Sequence, residues 1–458
     1  MSKKHFLPFL LMPLLATPAA QAEVALIAMG SVNPSYQDLS SRTATPLENG
    51  VAGNILGGVG SAIAYAGNNT FLALPDRGPN ANAYNPLLDD TTSYINRFQT
   101  FNLALAVNPS YDATVSGSLP YILSPFLTAT TLLSNASALT YGVNAAPTLN
   151  AQGRYYFTGR SDNFDAKRVS TNLFNGRLDP EGIRVANDGK TVFISDEYGP
   201  YVYQFSRATG KRIKAFKLPA NLASPVLSSQ GDTEISGNTS GRTANKGMEG
   251  LAITPDGKML VGIMQANLIQ DTKGYLRIVT IVIATGETKE FAYKLTDGSG
   301  VSEILAINDH EFLVDERDGK GLGDNSTAVV KKLYKIDLTG ATEVTSLAKL
   351  DASSPVVAKI PFMDIVEKLT AFGINANDIP AKIEGISFGP DVVVNGVTKH
   401  TLFVVNDNDF LSTVTDTNHP AGISNPNKFF VFTVDSADLP NYVPQSILPF
   451  ARDEQDRG

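Results

Sequence analysis

One short pattern recurs along the chain and limits the folds open to it. A small or acidic residue and an apolar run make a strand, a turn follows, and a second strand ends in polar side chains. Asp179-Pro-Glu-Gly-Ile183 leads to Thr191-Val-Phe-Ile-Ser-Asp-Glu197, and Met248-Glu-Gly-Leu251 leads to Met259-Leu-Val-Gly-Ile-Met-Gln265. Val301-Ser-Glu-Ile304 leads to Glu311-Phe-Leu-Val-Asp-Glu-Arg317, and Ile383-Glu-Gly-Ile386 to Thr401-Leu-Phe-Val-Val-Asn-Asp-Asn-Asp409. An earlier copy, Gly60-Ser-Ala-Ile63, leads to Thr70-Phe-Leu-Ala-Leu-Pro-Asp-Arg77. Short strands spaced by Asp-Gly and Thr-Gly turns indicate an all-β fold. Repeats of this length, each too small to bury its own face, are the mark of a β-propeller.

The anchors Ser61, Glu181, Glu249, Glu303 and Glu384 are 120, 68, 54 and 81 residues apart. The first interval is about twice the others, as if a copy had lost its signature. The spacing therefore predicts six blades, with five to seven allowed. Residues 108–178 read as that degenerate copy or as an insertion, and the periodicity from Pro361 to Gly373 predicts a short helical insertion over 361–373.

Composition narrows the partners. The chain has 458 residues, 43% of them hydrophobic, which suffices for one large domain over residues 23–458. A formal net charge of −8 argues against nucleic acid. Cysteine is absent, which excludes disulfides, thiolate metal sites and a cysteine nucleophile. Lys3 and Lys4, the apolar run Phe6–Leu15 and Ala20-Gln-Ala22 make a signal peptide cleaved after Ala22. The run is too short to span a bilayer, so a periplasmic or secreted monomer with no membrane span is expected.

In a propeller the first strand of each blade lines the central channel. Glu181, Glu249, Glu303 and Glu384 would then form a carboxylate ring, and Asp76, Asp196, Asp315, Asp407 and Asp409 a second group at one mouth. Clustered carboxylates repel one another unless they hold a cation, and hard oxygen ligands select Ca²⁺, with Mg²⁺ second. The same Glu could instead bond backbone amides of the next blade and close the ring mechanically. Both readings stand for Glu181, Glu249 and Glu384; Ile304, in place of glycine, tilts Glu303 to the structural one. Arg77, Arg317 and Lys246 lie beside the acids and suit a phosphate oxyanion. Glu197 and Glu316 are candidate bases. No Gly-x-Ser-x-Gly elbow or Walker loop is present.

These stretches, with Leu74-Pro-Asp-Arg-Gly-Pro79 and Lys246-Gly-Met-Glu-Gly-Leu251, resemble the phytase-like family, whose domain is described as the esterase-like activity of phytase. The resemblance covers residues 50–435 and implies an exported bacterial propeller with phosphoesterase activity on a small-molecule phosphate ester. Two alternatives accompany it: a propeller lactonase with a central Ca²⁺, and a Ca²⁺-stabilised binding propeller with no activity.

Overall fold

The structure, a computed structural model, describes residues 24–79, 85–89 and 91–450. The expected signal peptide at 1–22 lies outside them. Each repeat copy opens an antiparallel sheet; among the described residues four of these sheets have four strands, and the fifth has four in line with Val392–Val394 added beside one of them.

Blade one comprises Ala62–Tyr65, Thr70–Leu74, Arg97–Asn102 and Phe126–Leu132. Blade two comprises Pro180–Val185, Thr191–Asp196, Tyr201–Ser206 and Arg212–Lys217. Met248–Ile253, Met259–Met264, Tyr275–Val282 and Thr288–Lys294 form blade three. Gly300–Ala306, Glu311–Arg317, Lys331–Asp337 and Lys359–Asp364 form blade four. Blade five takes Ile383–Phe388, Val397–Asn406 and Asn427–Val434 from the C-terminal part and its outer strand, Ala25–Val32, from the N-terminal part.

The first strands contact one another in the cycle one-two-three-four-five-one, so the ring closes with five blades, not six. Five apolar clusters lie at the five interfaces. Leu72, Leu74, Ile183 and Ile194 join blades one and two, and Ile63, Phe71, Phe403 and Val431 join blades one and five. The long interval between Ser61 and Glu181 is an insertion. Its residues supply the outer strand of blade one, a hairpin pairing Leu105–Val107 with Tyr121–Leu123, and loops in which the two-residue strands Ser134–Asn135 and Tyr155–Tyr156 pair.

The expected helix is half right. Pro361 belongs to the outer strand of blade four, and the helix is Ile365–Phe372. Asp364 caps it by accepting from Glu367 N at 3.1 Å, and Gly373 ends it in the left-handed region at φ 107°. Its apolar face, Ile365 and Leu369, joins the core between blades four and five.

One end of the ring is closed by the chain's C-terminal stretch. Val443 N donates to Ile307 O at 2.9 Å, Gln445 Nε2 to Val185 O at 2.8 Å, and Leu448 N to Asn187 O at 2.9 Å. The other end carries the polar residues of the repeat.

Candidate functional site

The first two strands of blades two to five pair with a bulge at the same place. The register shifts between Pro180 and Ile183, Met248 and Gly250, Val301 and Glu303, and Ile383 and Gly385. A bulge leaves one residue unpaired and re-aims its side chain. That residue is Glu181, Glu249, Ser302 and Glu384 in turn, with Ser61 the equivalent in blade one.

Glu303 is therefore one residue out of register with the ring expected from sequence. It occupies the glycine position of the motif, equivalent to Gly182, Gly250 and Gly385. A Cβ at Gly250 would lie 2.7 Å from Ile304 N, so neighbouring first strands come too close for most side chains there. Glu303 is fully buried and accepts from Leu251 N and Ile304 N, both at 3.0 Å, while Arg184 reaches it at 2.9 Å. Arg184 also donates to Ile63 O and Ile304 O, both at 3.0 Å. Blades two and four do not adjoin, so this side chain crosses the centre of the ring. The Arg184–Glu303 pair is a plug in the channel, not part of a ligand set.

The same register aligns the residues just past the second strands: Asp76, Glu197, Gln265, Arg317 and Asp407. All five are polar, and they meet the first set at one mouth. Gln265 Nε2 donates to Glu249 at 2.8 Å. Arg317 pairs with Glu384 and lies 3.7 Å from Glu249.

Two oxygen-only triads stand out among the described residues: Asp76 with Asp407 and Asp409, and Asp179 with Glu181 and Glu197. In each, one oxygen per residue lies within 4.8 Å of the others. Lys382 sits against the first triad, 2.8 Å from Asp407 and 2.6 Å from Asp409. Arg77 sits against the second, with its backbone N and Nη1 each 3.1 Å from Asp179. Asp409 and Phe410 hold φ of 51° and 56°, left-handed values that cost energy in non-glycine residues and cluster at functional sites.

Among the described residues, eight carboxylates, the two triads with Glu249 and Glu384, contact Arg77, Arg317 and Lys382 in a largely buried space, and Arg242 acts on Glu197 from nearby. Burial, then the neighbouring acids, holds Glu181, Glu249 and Asp76 well above the usual carboxylate range. Burial pushes Glu197 and Glu384 to about 7, partly offset by nearby arginines. Burial alone would lower Lys382, but Asp407 and Asp409 outweigh it and strengthen its charge. Glu249 Oε2 is buried with no hydrogen bond, and Asp409 Oδ1 has the Lys382 ion pair at 2.6 Å. Such a set holds protons or divalent cations.

Four other expected residues stand apart. Asp196 sits one residue short of the mouth set and accepts from Asp179 N at 3.2 Å and Tyr198 N at 3.0 Å, so it positions the Asp179 loop. Glu316, one residue before Arg317, is locked by Tyr293 Oη at 2.7 Å, by the backbone N of Thr296, Asp297 and Gly298, each at 3.1 Å, and by Lys359. Burial raises its pKa, but these donors outweigh it and leave the group below the usual range, which suits a bracing residue and not a base. Asp315 is fully buried with neither oxygen hydrogen-bonded. Lys246 is exposed and touches neither triad.

Sequence reasoning missed Asp179 and Lys382. Each lies two residues before its blade's bulged glutamate, so their place in the repeat was the available signal.

Residues 54–410 match the phytase-like family, described as esterase-like activity of phytase, and the chain belongs to that family. A curated relative, an uncharacterized secreted protein of Arthroderma benhamiae, is 31% identical over 249 residues, spanning 48% of this chain and 46% of its own length. The chain thus covers less than half of that relative. Among solved structures, a luciferin-regenerating enzyme aligns over 86% of this chain and 97% of its own at 10% identity and TM-score 0.34. Kuenenia stuttgartiensis hydrazine synthase aligns over 77% and 78% at 11% identity and TM-score 0.29. No helix among the described residues is long and apolar enough to cross a membrane.

Proposed function

We propose that this phytase-like propeller is an exported hydrolase of phosphoric esters that works with a bound divalent cation, Ca²⁺ in preference to Mg²⁺. The observation that carries the reading is the excess of carboxylates over cations at one mouth, arranged as two oxygen-only triads. All-oxygen sets without His or Cys suit Ca²⁺, and the carboxylates offer the six to eight oxygens it takes more readily than the strict octahedron of Mg²⁺. Asp179, Glu181 and Glu197 would hold one ion, and Asp76, Asp407 and Asp409 a second. When bound, Ca²⁺ supplies charge stabilisation to the phosphoryl oxygens and acidifies a water.

The chain's own residues do the rest. Arg317 presents a planar fork of donors between Glu249 and Glu384, the geometry that grips a phosphoryl group. Lys382 adds a point charge on the far side of Glu384's blade, and Arg77 one beside Asp179. Glu249 is the base in this reading: Gln265 Nε2 orients its Oε1 at 2.8 Å while its buried Oε2 is unbonded. With the surrounding negative charge neutralised, Glu249 ionises nearer neutral pH and takes the proton from the attacking water. Arg184 and Glu303 close the channel below and keep bulk water from that side.

The test is hydrolysis of a phosphomonoester and a phosphodiester by the folded chain with Ca²⁺ and with EDTA. Ca²⁺-dependent turnover that falls about 10²-fold or more in Glu249→Gln supports the reading. Turnover of lactones but of neither phosphate ester would replace it.

A further inference from the structure

One large groove among the described residues is far from the acids in chemistry. It runs along the seam between blades one and five, has a volume of about 940 Å³, and is lined from Ser31–Leu39, the Leu123–Leu127 stretch that opens the outer strand of blade one, and the loop that carries Ser412, Thr413 and Ser424. That volume lies at the upper end of the roughly 300–1,000 Å³ usual for small-molecule sites. None of its lining residues is charged, although 18% of the chain is. Two aromatic rings stand exposed in it, Tyr36 at 59% and Phe126 at 68%. Between them lie uncharged hydrogen-bonding side chains, among them Asn33, Gln37, Ser124 and Thr413.

The wall is held rigidly. Asp38, next to Gln37, forms a fully buried ion pair with Arg97, whose Nη2 also donates to Gly53 O at 2.9 Å. Leu56 N donates to Tyr36 O at 2.8 Å and Asp38 N to Asn54 O at 2.8 Å. Leu39 N donates to Thr130 Oγ1 at 3.0 Å, tying the same segment to the outer strand of blade one. The backbone that carries Tyr36 is thus fixed before any ligand arrives, which lowers the cost of binding.

From this lining we infer that the seam groove binds a neutral saccharide chain. Flat rings cover the C–H faces of sugar rings, and amide and hydroxyl groups exchange hydrogen bonds with sugar hydroxyls without demanding a charge on the ligand. A phosphate ester or an acidic peptide would find no countercharge there. The groove would therefore hold the protein on a polysaccharide while the mouth acts on another molecule.

The chain contains no tryptophan, so Tyr36→Trp places a single indole reporter in the groove. The protein is run through native gels containing β-glucan, α-glucan, mannan, xylan or galactan, and Tyr36→Trp is titrated with the hexasaccharide of any polymer that retards it. The expected result is retardation by at least one polymer, a saturable change in indole emission, and a loss of affinity of about tenfold in Phe126→Ala. Phe126 is exposed, so that variant retains the fold, and its activity at the channel mouth stays that of the parent. No retardation by any of the five polymers overturns the inference. So does retardation that Phe126→Ala leaves unchanged, or a dimer in sedimentation velocity that Phe126→Ala dissolves, which would assign the groove to a second copy of the chain.

Discussion

Replacing Asp315 with asparagine should remove a pH dependence of stability that the fold imposes. Asp315 is fully buried, neither of its oxygens is hydrogen-bonded, and burial pushes its pKa to about 8 against only partial relief from Arg317 and Lys331. The unfolded chain holds that carboxyl near its ordinary value of 3.8. The folded pKa is the higher one, so the folded state keeps the proton longer. The associated stability is complete below pH 3.8 and is lost as pH rises towards 8, at about 1.4 kcal/mol per pH unit, or several kcal/mol over the window. Asparagine has nearly the same shape and does not titrate. It brings an amide N–H₂ that finds no ready acceptor between Arg317 and Lys331, which costs roughly 1–3 kcal/mol at every pH. The variant should therefore be no more stable than the parent at pH 4.5 and clearly more stable at pH 7.5. Urea unfolding followed by far-ultraviolet circular dichroism at pH 4.5, 6 and 7.5 measures this. A difference between the two proteins that stays flat with pH would refute the argument that Asp315 is buried without a partner.

Asp407→Asn combined with Asp409→Asn should diminish a Ca²⁺-induced rise in melting temperature that EDTA reverses in the parent, as differential scanning calorimetry will show; an unchanged rise would remove this triad from cation binding. Gly250→Ala places a Cβ 2.7 Å from Ile304 N and 2.8 Å from Glu303 C, so it should cost about 1–3 kcal/mol in urea unfolding, and a neutral outcome would mean that blades three and four are looser than the contacts imply. Glu316→Gln should lower stability by roughly 1–3 kcal/mol while the folded fraction keeps its turnover, because its five donors brace blade four. Loss of kcat without loss of stability would instead return Glu316 to the chemistry.

The repeat and its propeller were legible because the Glu-Gly-apolar motif combines a bulge with a close approach, and both need particular residues. Blade number was not. The spacing between Ser61 and Glu181 counts an insertion as a blade, and blade five is assembled from segments that lie some 400 residues apart, Ala25–Val32 and Asn427–Val434. The site was legible in kind and off by one residue in blades two and four. Matching Glu303 to the other glutamates overlooked that Ser302 takes the bulge, and the same slip placed Asp315 and Glu316 at the mouth beside Arg317. Equal spacings of 15 from Ser61 to Asp76 and from Glu181 to Asp196 hid a bulge that makes Glu197 the true counterpart of Asp76. Arg184 escaped notice because nothing local marks a side chain that reaches across the ring.

The strand Ala25–Val32 in blade five acts as a clasp. Its partner Asn427–Val434 lies some 400 residues further along the chain, so the ring locks only when these two distant segments meet. Until then the apolar surface of blades one and five, including Phe71, Phe403 and Val431, has nothing to cover it. A circular permutant with its termini moved into the loop between blades two and three would make every blade from one continuous stretch, leaving side-chain packing between those two blades as the ring's closure.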